Sequence, residues 1–159
     1  MNKNGEKTSQ IFFLNVGVSK EHVGKAIDTL QIEKTVIFSS IQLREETEDF
    51  TRSLTGRKVD VVEVHYVDPF TPESMRNIIS LMLTTAKKYS AQGMEVVAGL
   101  TGGTNIMAVA LGVVAMMLKL QCNYILNKDD DFLLRIDTFK NIDDAVTLEQ
   151  FERFFEVRE

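Results

Sequence analysis

The chain has 159 residues, of which 44% are hydrophobic, and a formal net charge of −5. This length suits a single domain with a sizeable core, so we predict one domain over residues 1–159 with a polar leader at residues 1–9. The acidic balance argues against a protein that coats long nucleic acid, because phosphate-backbone binding normally needs a basic surface. The single cysteine, Cys122, excludes a disulfide framework and fits a cytoplasmic location. Because the chain has only two histidines, we expect no metal site, and we also expect no cofactor.

The first part of the chain alternates between strand and helix patterns. Residues 10–16 form a short apolar run, which is typical of a strand buried on both faces. Ser19 is predicted to cap a helix whose apolar residues recur at helical spacing. A second strand is predicted over residues 34–38. The spacing of Ser39 and Gln42 then resembles a capping box, which would open a charged surface helix.

The rest of the chain continues the alternation. We predict a strand at 59–67, a helix from Thr71 to Gly93, a strand at 96–99, a helix at 106–118, strands at 123–126 and 132–136 joined as a hairpin, and a C-terminal helix at 147–156. Residues 96–118 carry no charge, but the polar break within them favours a buried strand, turn and helix over a membrane span. The pattern predicts an α/β fold: a Rossmann-like, mostly parallel sheet with helices on both faces and a C-terminal β-hairpin.

The segment Leu-Thr-Gly-Gly-Thr-Asn at residues 100–105 separates the fourth strand from its helix. Gly102 and Gly103 allow positive φ and let a ligand approach the main chain, while Thr101 and Thr104 supply hydroxyl groups and a helix N-cap. The bare N–H groups at the start of the helix favour an anion. The alternative is a tight turn that binds no ligand.

A second loop, Gly17-Val18-Ser19-Lys20, follows the first strand. In a Rossmann-like sheet the first and fourth strands are neighbours at the point where strand order reverses, so we expect both loops to line one crevice. Neither loop is a dinucleotide-binding fingerprint or a P-loop.

The segment Leu-Thr-Gly-Gly-Thr-x-x-Met at residues 100–107 resembles the signature of CARF domains, the CRISPR-associated Rossmann-fold sensors. The glycine after the first strand and the terminal hairpin are also similar to that family. The resemblance implies a homodimer that binds cyclic oligoadenylate across its interface in type III CRISPR signalling. We expect the ring to be cyclic tetra-adenylate. Many members have lysine where this chain has Asn105, so one expected cation is missing.

The ligand contacts that we expect are Gly17, Val18, Ser19, Ser39, Thr101, Gly102, Gly103, Thr104, Asn105 and Met107. Ser40 and Phe70 end their strands on the same side as Ser39. For all three, an adenine contact competes with ordinary capping or core packing.

Two hypotheses about function follow from the resemblance. In the first, the protein is a metal-independent ring nuclease, in which Ser19 orients a ribose 2′-OH and Lys20 stabilises the transition state. Lys25 would add positive charge or lie in solvent. In the second, the chain is a non-catalytic sensor that regulates a separate effector domain or protein. The absence of an effector segment after the sensor motivates the first, and the polar leader and the C-terminal helix motivate the second.

Overall fold

The computed structural model describes residues 9–127 and 132–136, with side chains to residue 125. The elements in chain order are β1 (Gln10–Val16), α1 (Glu21–Leu30), β2 (Lys34–Ser40), α2 (Arg44–Gly56), β3 (Asp60–Val67), α3 (Ser74–Ala91), β4 (Glu95–Gly99), α4 (Asn105–Met117), β5 (Gln121–Asn127) and β6 (Phe132–Ile136). Residues 1–8 of the predicted leader, residues 128–131 between the strands of the predicted hairpin, and the predicted C-terminal helix at 147–156 lie outside the described residues.

The strands form one six-stranded sheet in the order β3-β2-β1-β4-β5-β6. The first five strands are parallel, and β6 pairs antiparallel with β5 as the predicted hairpin. Because β1 and β4 are neighbours, the strand order reverses between them, as the Rossmann-like prediction requires. The fold class is therefore confirmed.

Apolar side chains cover both faces of the sheet. On one face Phe13 and Phe38 pack with residues of α3 and α4, such as Met82 and Leu111. On the other face the sheet packs with residues of α1 and α2, such as Val23 and Leu54. This double burial explains why β1 and β2 are almost continuously apolar in sequence. None of the described helices is long and apolar enough to cross a membrane.

Three predicted helix starts are wrong. Helix α3 begins at Ser74 rather than at Thr71. The residue before α1 is Lys20 rather than Ser19, and no side chain caps that helix. Strand β2 runs on through Ser40 into a short 3₁₀ turn, so α2 begins only at Arg44 and Ser39 does not cap it. Ser39 is a buried residue of β2 that pairs with Val16 and Tyr66, and its hydroxyl is hydrogen-bonded inside the fold.

A polar cluster sits where the edge strand β3 meets α3. Glu63 accepts hydrogen bonds from Lys88 and from the Tyr89 hydroxyl (2.6 Å), and its second oxygen lies 2.8 Å from Nε2 of His65. Partial burial raises the pKa of Glu63, but the hydrogen bonds of these three partners outweigh it and lower the pKa to about 2. The ionised carboxylate of Glu63 therefore links the edge strand β3 to helix α3.

Candidate ligand-binding site

The turn between β4 and α4 has the backbone that its sequence predicts. Gly102 has φ of 103° and Gly103 has φ of 72°, both in the region that favours glycine. Thr104 is extended and its Oγ1 accepts a hydrogen bond from the Met107 N–H (3.4 Å), so the predicted N-cap is confirmed. The first turn of α4 contains no acidic residue. The first-turn N–H groups without a partner in the helix, and the positive end of the helix dipole, therefore have no carboxylate of that turn beside them.

Strand β5 holds this turn in place from one side. The Leu100 N–H donates to the Asn123 carbonyl oxygen (2.8 Å), and the Ile125 N–H donates to Oγ1 of Thr101 (2.7 Å). The Thr101 oxygen is thus engaged in the fold, while its hydroxyl hydrogen is still a donor. The turn is anchored to the sheet at its start and to α4 at its end.

The first loop touches the turn directly. A Cβ placed on Gly17 would lie 3.1 Å from the Cα of Gly103 and 3.2 Å from its backbone nitrogen. The two loops therefore meet main chain to main chain at the carboxyl edge of β1 and β4, as the sequence led us to expect. A side chain at position 17 would require the Gly103 main chain to shift by a few tenths of an ångström.

Lys20 places a positive charge on this pair of loops. Its Nζ donates to the carbonyl oxygens of Gly17 (3.3 Å) and Val18 (3.5 Å), which leaves one of the three ammonium hydrogens to face a ligand. Val18 is 83% exposed and Ser19 is also exposed. Within the described residues the Ser19 hydroxyl makes no hydrogen bond, so it too is available.

Two of the predicted contacts lie inside the protein instead. The hydroxyl of Ser39 donates to the Val16 carbonyl oxygen (3.0 Å) and bonds with Oγ1 of Thr47 (2.8 Å), which ties β2 to β1 and α2. Met107 is fully buried in the core beneath the turn. Neither side chain reaches the surface of the crevice, so both are left out of the site that we propose. Asn105 and Phe70 are exposed at that edge of the sheet.

The sequence reasoning missed Asn15. This residue is completely buried next to the turn, and neither its Nδ2 nor its Oδ1 has a hydrogen-bond partner among the described residues. The signal was present, because Asn15 is the single polar residue in the otherwise apolar run of residues 11–16.

A depression of about 410 Å³ lies at the opposite, amino edge of the sheet, beside Gln10, Gln31 and Lys34. It includes none of the candidate residues, and we place the site at the loops because the anion donors are there. In the described part of the chain, no group of three His, Cys, Asp or Glu side chains is arranged to hold a metal ion.

No protein-family model matches the chain, and a search of curated proteins finds no sequence match. Several solved structures share its fold. Protein VC1899 from Vibrio cholerae superposes with a TM-score of 0.68 at 11% identity, over 83% of this chain and 34% of its own. Csm6 from Enterococcus italicus, solved with cyclic hexa-2′-fluoro-hexa-dAMP, gives 0.66 at 12% identity over 96% of this chain and 41% of its own.

Can2 from Sulfobacillus thermosulfidooxidans, solved in complex with cyclic tetra-adenylate, gives a TM-score of 0.63 at 14% identity, over 80% of this chain and 35% of its own. The chain thus spans 34–41% of the length of these three solved chains. At such low identity the likeness is one of fold. The chain has the Rossmann-like fold of proteins solved with cyclic adenylate ligands, and the predicted likeness to type III CRISPR sensor domains is confirmed at that level.

Proposed function

We propose that the protein is a CARF-like domain that binds cyclic oligoadenylate at the paired loops of β1 and β4. The observation that carries the proposal is the contact between Gly17 and Gly103, which joins the N-terminus of α4 to the loop that holds Lys20. Together they present N–H groups, hydroxyl groups and an ammonium group, all of which donate to a phosphate. The structures of Csm6 and Can2, which hold cyclic adenylates, support this class of ligand.

We further propose that the binding unit is a homodimer. A cyclic oligonucleotide with an even number of units can have a two-fold axis, so an isologous pair can supply two identical half-sites. Helix α4 supports this arrangement, because it carries no charged residue and still exposes part of its surface. Ile106, Val109, Val113 and Met116 recur at helical spacing, all partly exposed, and Val109 is 54% exposed. A second copy packed there would cover an apolar stripe that starts at the ligand site itself.

The reaction that this site fits is cleavage of the ring without a metal ion. A ribose 2′-oxygen forms a bond to the adjacent phosphorus, the bond to the 5′-oxygen breaks, and the 2′-OH proton ends on that 5′-oxygen by way of solvent. The product is a linear chain ending in a 2′,3′-cyclic phosphate. Ser19 would orient the 2′-OH, and Lys20 would stabilise the negative charge that builds on the phosphate.

The alternative is a sensor that binds the ring without cleaving it. The exposed Asn105 at the start of α4 favours this alternative, since it is neutral where many CARF domains carry lysine. The positive charge at the site then rests on Lys20.

The test is incubation of the purified protein with cyclic tetra-adenylate or cyclic hexa-adenylate in the presence of a chelator, followed by separation of the products. Appearance of a linear 2′,3′-cyclic phosphate supports the nuclease, and tight binding in calorimetry with an intact ring supports the sensor. Lys20→Ala should weaken binding or turnover at least tenfold. Lys58→Ala, which removes the same charge from an exposed site at the amino end of β3, should change neither. If no ring binds to the wild-type protein, the proposed function is wrong.

A further inference from the structure

Asn15 is a buried amide with unused hydrogen-bonding capacity. It is 0% exposed, and among the described residues both Nδ2 and Oδ1 lack a partner. A buried polar group without a partner destabilises a protein by roughly 1–3 kcal/mol, and such groups are uncommon in folded proteins. An apolar residue would be the stable choice at this position of β1. The amide therefore calls for a reason other than stability.

The position of Asn15 supplies that reason, because it lies directly under the turn. A Cβ on Gly102 would be 2.4 Å from the main-chain carbonyl oxygen of Asn15. A Cβ on Gly103 would be 2.7 Å from Cβ of Asn15 and 3.5 Å from Cγ, the carbon of its amide. The main chain of the two glycines therefore packs against Asn15.

We propose that Asn15 is a positioning residue for the phosphate-binding turn, an inference that rests on the proposed function. When a phosphate occupies the turn, the peptide N–H groups face outward to it and the peptide carbonyl oxygens face inward. An inward carbonyl of the Gly102–Gly103 segment then accepts a hydrogen bond from Nδ2 of Asn15. Glycines permit this adjustment because they pass between positive and negative φ with little steric cost. Ligand binding and the pairing of the buried amide are therefore coupled.

The experiment compares Asn15→Leu and Asn15→Ala with Thr35→Val. The last variant removes a buried hydroxyl that donates to the Phe12 carbonyl oxygen (2.8 Å), at the end of β2 remote from the turn. Affinity for cyclic tetra-adenylate and cyclic hexa-adenylate is measured by calorimetry, and the stability of the free protein by thermal unfolding. We expect both Asn15 variants to bind about tenfold or more weakly. Asn15→Leu should keep or raise the unfolding midpoint, and Thr35→Val should lower the midpoint with unchanged affinity.

A second readout follows the amide itself. In ¹⁵N-labelled protein the side-chain NH₂ signals of Asn15, identified by their loss in Asn15→Leu, should shift when the cyclic adenylate is added. The inference is overturned if the wild-type protein binds and both Asn15 variants bind equally well, or if their affinity falls only in proportion to stability. It is also overturned if the NH₂ signals stay in place at saturation. Failure of the wild-type protein to bind either ring is a different result, since it removes the proposed function and the inference with it.

Discussion

Replacing Gly103 with alanine should destabilise the protein by about 2–5 kcal/mol. At φ of 72° an L residue is less stable than glycine by roughly 1–2 kcal/mol. The new Cβ would also lie 2.7 Å from Cβ of Asn15, which is closer than carbon atoms approach without a bond. Relief requires β1 or the turn to move, and overpacking of this kind costs roughly 1–3 kcal/mol. The sum is a large part of the roughly 5–15 kcal/mol that stabilises an ordinary domain.

The free energy of unfolding is measured by urea denaturation followed by far-ultraviolet circular dichroism, with Gly56→Ala as the matched control. Gly56 is the exposed last residue of α2, and it does not have a positive φ. A Cβ placed there would meet no heavy atom within 4 Å. At this position the same change should be neutral or stabilise by up to about 1 kcal/mol. A Gly103→Ala protein as stable as the wild type, or a Gly56→Ala protein that loses as much, would refute the reasoning about the turn.

Three further predictions concern the interface, the edge strand and the core. Val109→Asp should convert the proposed dimer to monomer in sedimentation analysis while leaving the circular dichroism spectrum unchanged; a wild-type protein that is already monomeric at high concentration, with and without ligand, contradicts this. The folded pKa of Glu63, about 2, lies below the ordinary value of 4.5, so its contribution is present above pH 4.5 and is lost as pH falls toward 2. Glu63→Gln should therefore lower the free energy of unfolding by about 1–2 kcal/mol at pH 7 and reduce its loss between pH 4.5 and 2. Urea titrations at each pH measure this free energy. A variant with the same pH profile as the wild type would contradict the stabilising role of the Glu63 cluster. Burial raises the pKa of the Cys122 thiol to about 12, so its alkylation by iodoacetamide at pH 8 should follow unfolding in urea, whereas rapid labelling of the native protein would contradict the buried position.

The strands were predictable from sequence because burial on both faces leaves a continuous apolar signal. The prediction for β1 matches the observed bounds, and β2, β4 and β5 differ only by short extensions at their ends. The helix starts were less predictable, since a serine hydroxyl can cap a helix or bond elsewhere. Ser39 was expected to cap, but its hydroxyl bonds to Val16 and Thr47, which lie 23 and 8 residues away in the chain. Contacts at such separations are set by the tertiary fold and leave no local pattern.

At the candidate site, the sequence identified the main-chain features better than the side chains. The positive φ of Gly102 and Gly103 and the cap at Thr104 follow from residue type alone. The burial of Met107 does not, because an apolar residue in the first turn of a helix can face either the ligand or the core. Asn15 was not predicted as a site residue because a single polar residue does not disturb the apolar pattern of a strand. Its complete burial without hydrogen-bond partners is seen only in the structure.

The position of the candidate donors and the apolar surface of α4 both favour the proposed homodimer. In the proposed site, one subunit would supply phosphate donors from the turn that precedes α4 and from the loop that carries Lys20. A ring of nucleotides bound to one subunit alone would leave its other side in solvent. The stripe through Val109 begins at the same end of α4, so a copy that covers the stripe also brings its own turn to the ring. The interface and the site are then continuous, and by mass action the ligand must strengthen the dimer by the same factor by which dimerisation strengthens ligand binding.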